Sequence, residues 1–138
     1  MSSPRLAHNV FFKLKDASPA KVQELIDACK KYLNVQPGIA FFAAGALCAE
    51  LTREVNDLDW HVGLHLVFVN KAAHDAYQDD ATHNKFIDEN KPNWAGVRVF
   101  DSLVESVVLT LRVRSGSVVK SHLTRSVRTT LAELIRSL

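Results

Sequence analysis

The groups able to do acid–base chemistry near neutral pH in this 138-residue chain are six histidines, with two tyrosines to assist them. A neutral imidazole can take a proton from a carbon acid, and a phenol can orient it or donate to a carbonyl oxygen. His83 and Tyr77 stand six residues apart, across a polar interruption in helical sequence from Gln78 to His83. A break there lets the two side chains converge. His8 alternates with Val10, Phe12 and Leu14 on one face of a strand-like segment, Leu6 to Lys15. That face is expected to meet the helices, where a pocket would open. The competing reading has His83 solvating the polar break and His8 satisfying a hydrogen bond in the core.

Other constellations are weaker. His61 and His65 share a strand face, but at i, i+4 their Cβ atoms stand about 13 Å apart, too far for one metal ion. They read as histidines in a partly polar dimer interior. His74, Asp75, Asp79, Asp80 and His83 resemble a metal cluster in order of residue type. On one helix, however, His74 and Asp75 do not share a face with the rest. Cys29 and Cys48 both sit in apolar patterns and read as two reduced, buried thiols. Two cysteines cannot make a disulfide framework or a four-cysteine zinc site. There is no glycine-rich phosphate loop, nucleophile elbow or zinc spacing. Neither a metal nor a cofactor is expected.

The elements that must position these residues follow from periodicity. After the first strand, Ser18 and Pro19 read as the N-cap and first position of a helix. Val22, Leu25, Ile26, Cys29, Tyr32 and Leu33 make its apolar stripe. Pro37-Gly38 turns the chain. Ile39 to Leu51 reads as a strand, with Ile39, Phe41, Ala43 and Leu47 on one face, Phe42, Ala44, Ala46 and Cys48 on the other, and a bulge at Gly45. Residues 52–59 read as an exposed loop, and Glu54, Asp57 and Asp59 in it, like Asp16, read as solvated charges. Trp60 to Val69 is the best-patterned strand, with Val62, Leu64, Leu66 and Phe68 on one face. Asn70 caps a helix carrying Ala73, Ala76 and Tyr77, and a second short helical piece carries Phe86 and Ile87. A loop holds Pro92, and Val97 to Val104 is the fourth strand. Strand, helix, strand, strand, helix, strand is the βαββαβ order of ferredoxin-like α+β folds, an antiparallel sheet with helices on one face.

Composition sets the outer limits. Hydrophobic residues are 47% and charged residues 23%, a globular balance. The longest apolar run, Ile39 to Ala49, falls well short of the roughly 20 residues a membrane span needs. The N-terminus, Met1-Ser2-Ser3-Pro4-Arg5, has no apolar h-region, so no secretory signal is read there and the expected compartment is the cytoplasm. Residues 1–106 carry a net charge of −3 and residues 107–138 a net +5. The tail reads as a strand (Val107 to Val113) followed by a basic amphipathic helix with Leu123, Val127, Leu131 and Leu134 at helical spacing. It lacks the aromatic residues on which bases stack, so nucleic acid is not the expected partner. The strands around Phe41 and Leu64 are apolar on both sides, like strands covered twice. Helices can cover one face; a second copy of the chain, sheet against sheet, is the simplest cover for the other.

His8-Asn9-Val10-Phe11-Phe12-Lys13-Leu14-Lys15-Asp16 resembles the opening strand of the stress-responsive A/B barrel (Dabb) family. Pro37-Gly38-Ile39, Trp60 to Phe68 with Ala76-Tyr77-Gln78, and His83 with Phe86 and Val97 to Asp101 resemble its later segments, in the same order. The resemblance covers about residues 6–104 and leaves a C-terminal extension, residues 106–138, outside a domain of residues 1–105. It implies a dimeric α/β barrel built through the sheets. Many members have no known reaction; one plant branch contains a polyketide cyclase. By that resemblance the cyclase's opening-strand histidine corresponds to His8, its pocket tyrosine to Tyr77 and its catalytic histidine to His83. Its further pocket histidine falls at Val62, with His61 one residue off and therefore on the other face. The usual His-Pro pair before the last histidine is Asp80-Ala81 here.

Three readings are open at this point. The chain is a homodimer of this family without an assigned reaction, holding a small apolar molecule between sheet and helices. Alternatively it is a cyclase-like or cofactor-free monooxygenase-like enzyme using His83, Tyr77 and His8. In the third reading the basic tail is an interaction element.

Overall fold

In the computed structural model, residues 4–105, 111–112 and 118–119 are described. The chain forms two compact units, Met1–Ser106 and Val107–Leu138. In the first unit, β1 (Arg5–Leu14) alternates buried and accessible side chains along its whole length, as its sequence pattern requires. Helix α1 (Pro19–Leu33) follows, burying Leu25, Ile26, Cys29, Tyr32 and Leu33. Ser18 is its N-cap, yet its hydroxyl bonds no backbone amide. Instead the Asp16 carboxylate accepts from the Ser18 N–H at 3.0 Å and turns the chain into the helix.

Strands β2 (Ile39–Ala46) and β3 (Val62–Phe68) form an antiparallel pair. The register shifts between Ile39 and Phe41, so Ile39 faces Phe68 while Phe42 faces Leu66 and Ala44 faces Leu64. The bulge therefore lies at the start of the strand and not at Gly45, which pairs regularly with Gly63. It places Ile39 on the core side with Phe42, opposite to Phe41, because one extra residue inverts the alternation. The strand ends at Ala46. Cys48 follows it and is exposed, whereas Cys29 is buried, so only one of the two thiols is a core residue.

Helices α2 (Lys71–Asp79) and α3 (Ala81–Asn90) are separated by Asp80 alone. Asn70 caps α2 by accepting from the Ala73 N–H at 2.8 Å. Asp80 caps α3 by accepting from the Thr82 N–H at 2.7 Å. Pro92 sits in a single 3-10 turn, Lys91–Asn93, which leads directly into β4 (Trp94–Val104). The sheet order is β2-β3-β1-β4 and every neighbouring pair is antiparallel. This is the expected ferredoxin-like α+β fold.

The core lies between sheet and helices: Val10, Phe12 and Leu14 from β1, Val62, Leu64, Leu66 and Phe68 from β3, the α1 stripe, and Tyr77 and Phe86. Burying each large apolar side chain contributes about 1.5–3 kcal/mol. The Tyr32 hydroxyl donates to Glu89 at 2.6 Å and ties α1 to α3. On the opposite face, Phe11 packs edge to face with Trp60, His65 and Phe100. Phe41 and Phe100 remain 42% and 49% exposed in the single chain. In the second unit, β5 (Leu111–Arg112) pairs with β6 (Val118–Val119) in an antiparallel ribbon. The basic C-terminal helix expected from the sequence lies outside the described residues.

Candidate functional site

The strand register builds the site first. On β1, His8 lies between Leu66 of β3 and Asp101 of β4. Directly opposed residues share a face, so the Asp101 carboxylate reaches the His8 ring. The Nδ1 of His8 and Oδ1 of Asp101 are 2.5 Å apart. With the proton assigned to Nδ1, His8 donates to Asp101 and its Nε2 is the remaining acceptor. Burial pushes the His8 pKa below 6.5 and outweighs the opposing pull of Asp101.

Helices α2 and α3 supply the other walls. His74 and Tyr77 stand three apart on α2 and so share a face. The His74 ring lies 5.0 Å from the His8 ring, and the Tyr77 ring 6.1 Å from it. The break at Asp80 then redirects the chain, and His83, early in α3, packs against Tyr77 at 4.4 Å. Phe68, at the end of β3, closes the group against Tyr77 at 5.1 Å and His74 at 5.5 Å. His8, Tyr77 and His83 are 4%, 2% and 8% exposed. The structure thus brings the three residues into one buried cluster.

The electrostatics favour neutral groups. Burial lowers the His83 pKa, opposed by the backbone of Gln78, and raises the Tyr77 phenol. The Nδ1 of His83 is buried without a hydrogen-bond partner. Leaving such a group unsatisfied costs about 1–3 kcal/mol. Cys29 is pushed up to about 12 by burial, which removes it as a thiolate nucleophile.

Several sequence candidates lie elsewhere. His61 precedes β3 and its Nδ1 accepts from the Leu14 N–H at 2.9 Å. His65 lies on the far face of the sheet, 2.8 Å from the Asn9 amide oxygen. Val62 is fully buried in the core at the position where the family resemblance places a pocket histidine. Asp79 is exposed and Asp80 is the α3 cap, so the linear acidic cluster does not assemble. A cavity of about 190 Å³ opens at the other end of the helical layer, among Leu14, Leu25, Glu89 and Trp94, and the histidine cluster does not line it. Two residues that contact the buried cluster, His74 and Asp101, were not singled out as its partners from the sequence. The signal for Asp101 was present: an acid at an alternate position of an apolar strand, after Val97 and Val99.

The sheet order and one-sided helices define a ferredoxin-like α+β protein with a buried His–Tyr–His group between its layers, its His8 bonded to the more exposed Asp101. The profile of the Stress responsive A/B Barrel Domain (Dabb) matches residues 6–104, and the chain belongs to that family. Among similar solved structures is a dimeric ferredoxin-like protein of unknown function from Thermobifida fusca. It is 18% identical with a TM-score of 0.63, over 75% of this chain and 94% of that one. A Dabb family protein from Mesorhizobium loti is 24% identical with a TM-score of 0.61, over 75% of this chain and 100% of that one. A hydroxynitrile lyase from Passiflora edulis is 17% identical with a TM-score of 0.61, over 75% and 96%. Comparison with curated protein sequences found no match. Among the described residues, no helix is long and apolar enough to cross a membrane.

Proposed function

We propose that this Dabb protein is a homodimer, paired through its sheet faces, that binds a small and largely apolar molecule between sheet and helices. The observation that carries the reading is the Nδ1 of His83, buried and unpartnered against the Tyr77 ring. A buried, unpartnered ring nitrogen beside an aromatic side chain suits a small aromatic molecule bearing a carbonyl or hydroxyl. The molecule's oxygen would meet His83 and the Tyr77 hydroxyl, and its rings would lie among Phe68, Tyr77 and the imidazoles.

The same arrangement supports an enzymatic second reading. His83 is held neutral by burial, as a general base must be, and Tyr77 is held protonated, as a donor must be. His8, oriented by Asp101, would complete a proton-transfer site of cyclase-like or cofactor-free monooxygenase-like character. The Passiflora edulis lyase shows that this fold can carry an enzyme, but at 17% identity it speaks for the fold alone.

The binding reading is tested by thermal shift with 1-naphthol and a panel of aryl ketones. At least one should raise the melting temperature of the wild-type chain, with the shift reduced in His83→Phe and Tyr77→Phe. A panel without effect, or shifts unchanged in both variants, would count against it. Turnover of a bound ketone or phenol, lost in His83→Phe, would select the enzymatic reading.

A further inference from the structure

We propose that His8, His74 and Asp101 form a binding site for one divalent transition-metal ion, Zn²⁺ or a cation of similar preference. One donor atom from each of the three lies within 4.8 Å of the others. Two imidazoles and a carboxylate are the donor set of borderline cations such as zinc. Three different elements supply them, β1, α2 and β4, so the group is a product of the tertiary fold and not of a local turn.

Three features suit these residues to the role. The side chain of His8 is only 6% exposed and is fixed by packing, while that of Asp101 is 44% exposed and free to adjust. The His74 Nδ1 lies 3.1 Å from the Asp75 carboxylate. An orienting carboxylate on one imidazole nitrogen turns the other toward a metal, the arrangement found behind most metal-bound histidines. The Nε2 of His74 now lies 3.3 Å from the Gln78 amide nitrogen, a long contact that a metal would replace. The His8 and His74 ring centres are 5.0 Å apart, the rings tilted at 58°.

Metal binding requires one change. His8 and Asp101 are hydrogen-bonded through a proton between Nδ1 and Oδ1. Donor atoms of one tetrahedral zinc stand about 3.3 Å apart. The ion therefore enters with release of that proton, and the exposed carboxylate swings outward by somewhat less than an ångström. Three protein ligands leave a position open for water or for an oxygen of a molecule bound beside Tyr77.

The test is titration of the chelator-treated full chain, without a histidine tag, with ZnCl₂ by calorimetry. Co²⁺ serves as the spectroscopic probe. The expected result is one Zn²⁺ per chain, with tetrahedral Co²⁺ absorption. His74→Gln and Asp101→Asn should each weaken binding by more than the about 10–100-fold caused by losing an orienting partner. His65→Gln, on the far sheet face, should leave it unchanged. Absence of stoichiometric binding by the wild type, or retention of full affinity in both His74→Gln and Asp101→Asn, would overturn the proposal. Loss of binding in His65→Gln alone would do the same, by moving the ion to the other face. The readout needs no organic ligand, so its failure is distinguishable from failure of the binding reading above.

Discussion

Tyr77 and His83 lie ring against ring at 4.4 Å although a continuous helix would hold six-apart residues on different faces. The contact exists because Asp80 takes an extended backbone conformation between α2 and α3. Asp80 also accepts from the Gln36 side chain at 2.8 Å, which anchors the break to the segment after α1. A helix cap here sets the geometry of the candidate site.

Asp80→Ala should therefore lower stability by about 1 kcal/mol, the usual cost of losing an N-cap. Asp80→Ser should recover most of it. Urea unfolding measures both, and the His83 ring resonances should shift in the alanine variant. An alanine variant with wild-type midpoint and unshifted resonances would remove Asp80 from this role.

Acidification should destabilise the fold through His83. Its folded pKa lies below 6.5 because burial penalises the charged ring. Well above pH 6.5 the ring is neutral in both states and its contribution is constant. As pH falls below 6.5 the unfolded chain takes up the proton first, so stability declines toward the folded pKa. Urea midpoints between pH 7.5 and 5, with chelator present, should fall, and His83→Phe should flatten the decline. An equally steep decline in that variant would assign it to other groups.

Gly38 has φ +84°, and a Cβ there would stand 2.6 Å from the Ala73 Cβ. Gly38→Ala combines backbone strain with a clash against α2 and should cost about 1–3 kcal/mol. A midpoint in urea within error of wild type would mean that the turn and α2 can move apart freely.

The proposed sheet-to-sheet dimer can be broken from the exposed aromatics of its sheet face. Phe41 and Phe100 project from the face away from the helices. Phe100→Asp or Phe41→Asp should give monomers by light scattering while far-ultraviolet circular dichroism stays unchanged. A wild-type chain with monomeric mass at micromolar concentration would refute the arrangement.

Family membership, the order of elements, the core face of β1 and the break before His83 were legible in the residues themselves. Family membership rests on a resemblance of ordered segments; the others depend on neighbours close in sequence: alternation at period two, stripes at period 3.6, the cap at Asn70 and the polar run from Gln78 to His83. The same local patterning put His8 on the helix side and made the convergence of Tyr77 and His83 foreseeable. It failed at Ile39, because a bulge inverts alternation without leaving a mark in residue type, and at Cys48, because an apolar run continued past the end of its strand. The pairing of His8 with Asp101, 93 residues away, was decided by the register of β4 on β1. The approach of His74 was decided by how α2 docks on the sheet. Such contacts arise from many weak packing terms summed over the whole core, so only the folded chain holds the four side chains together.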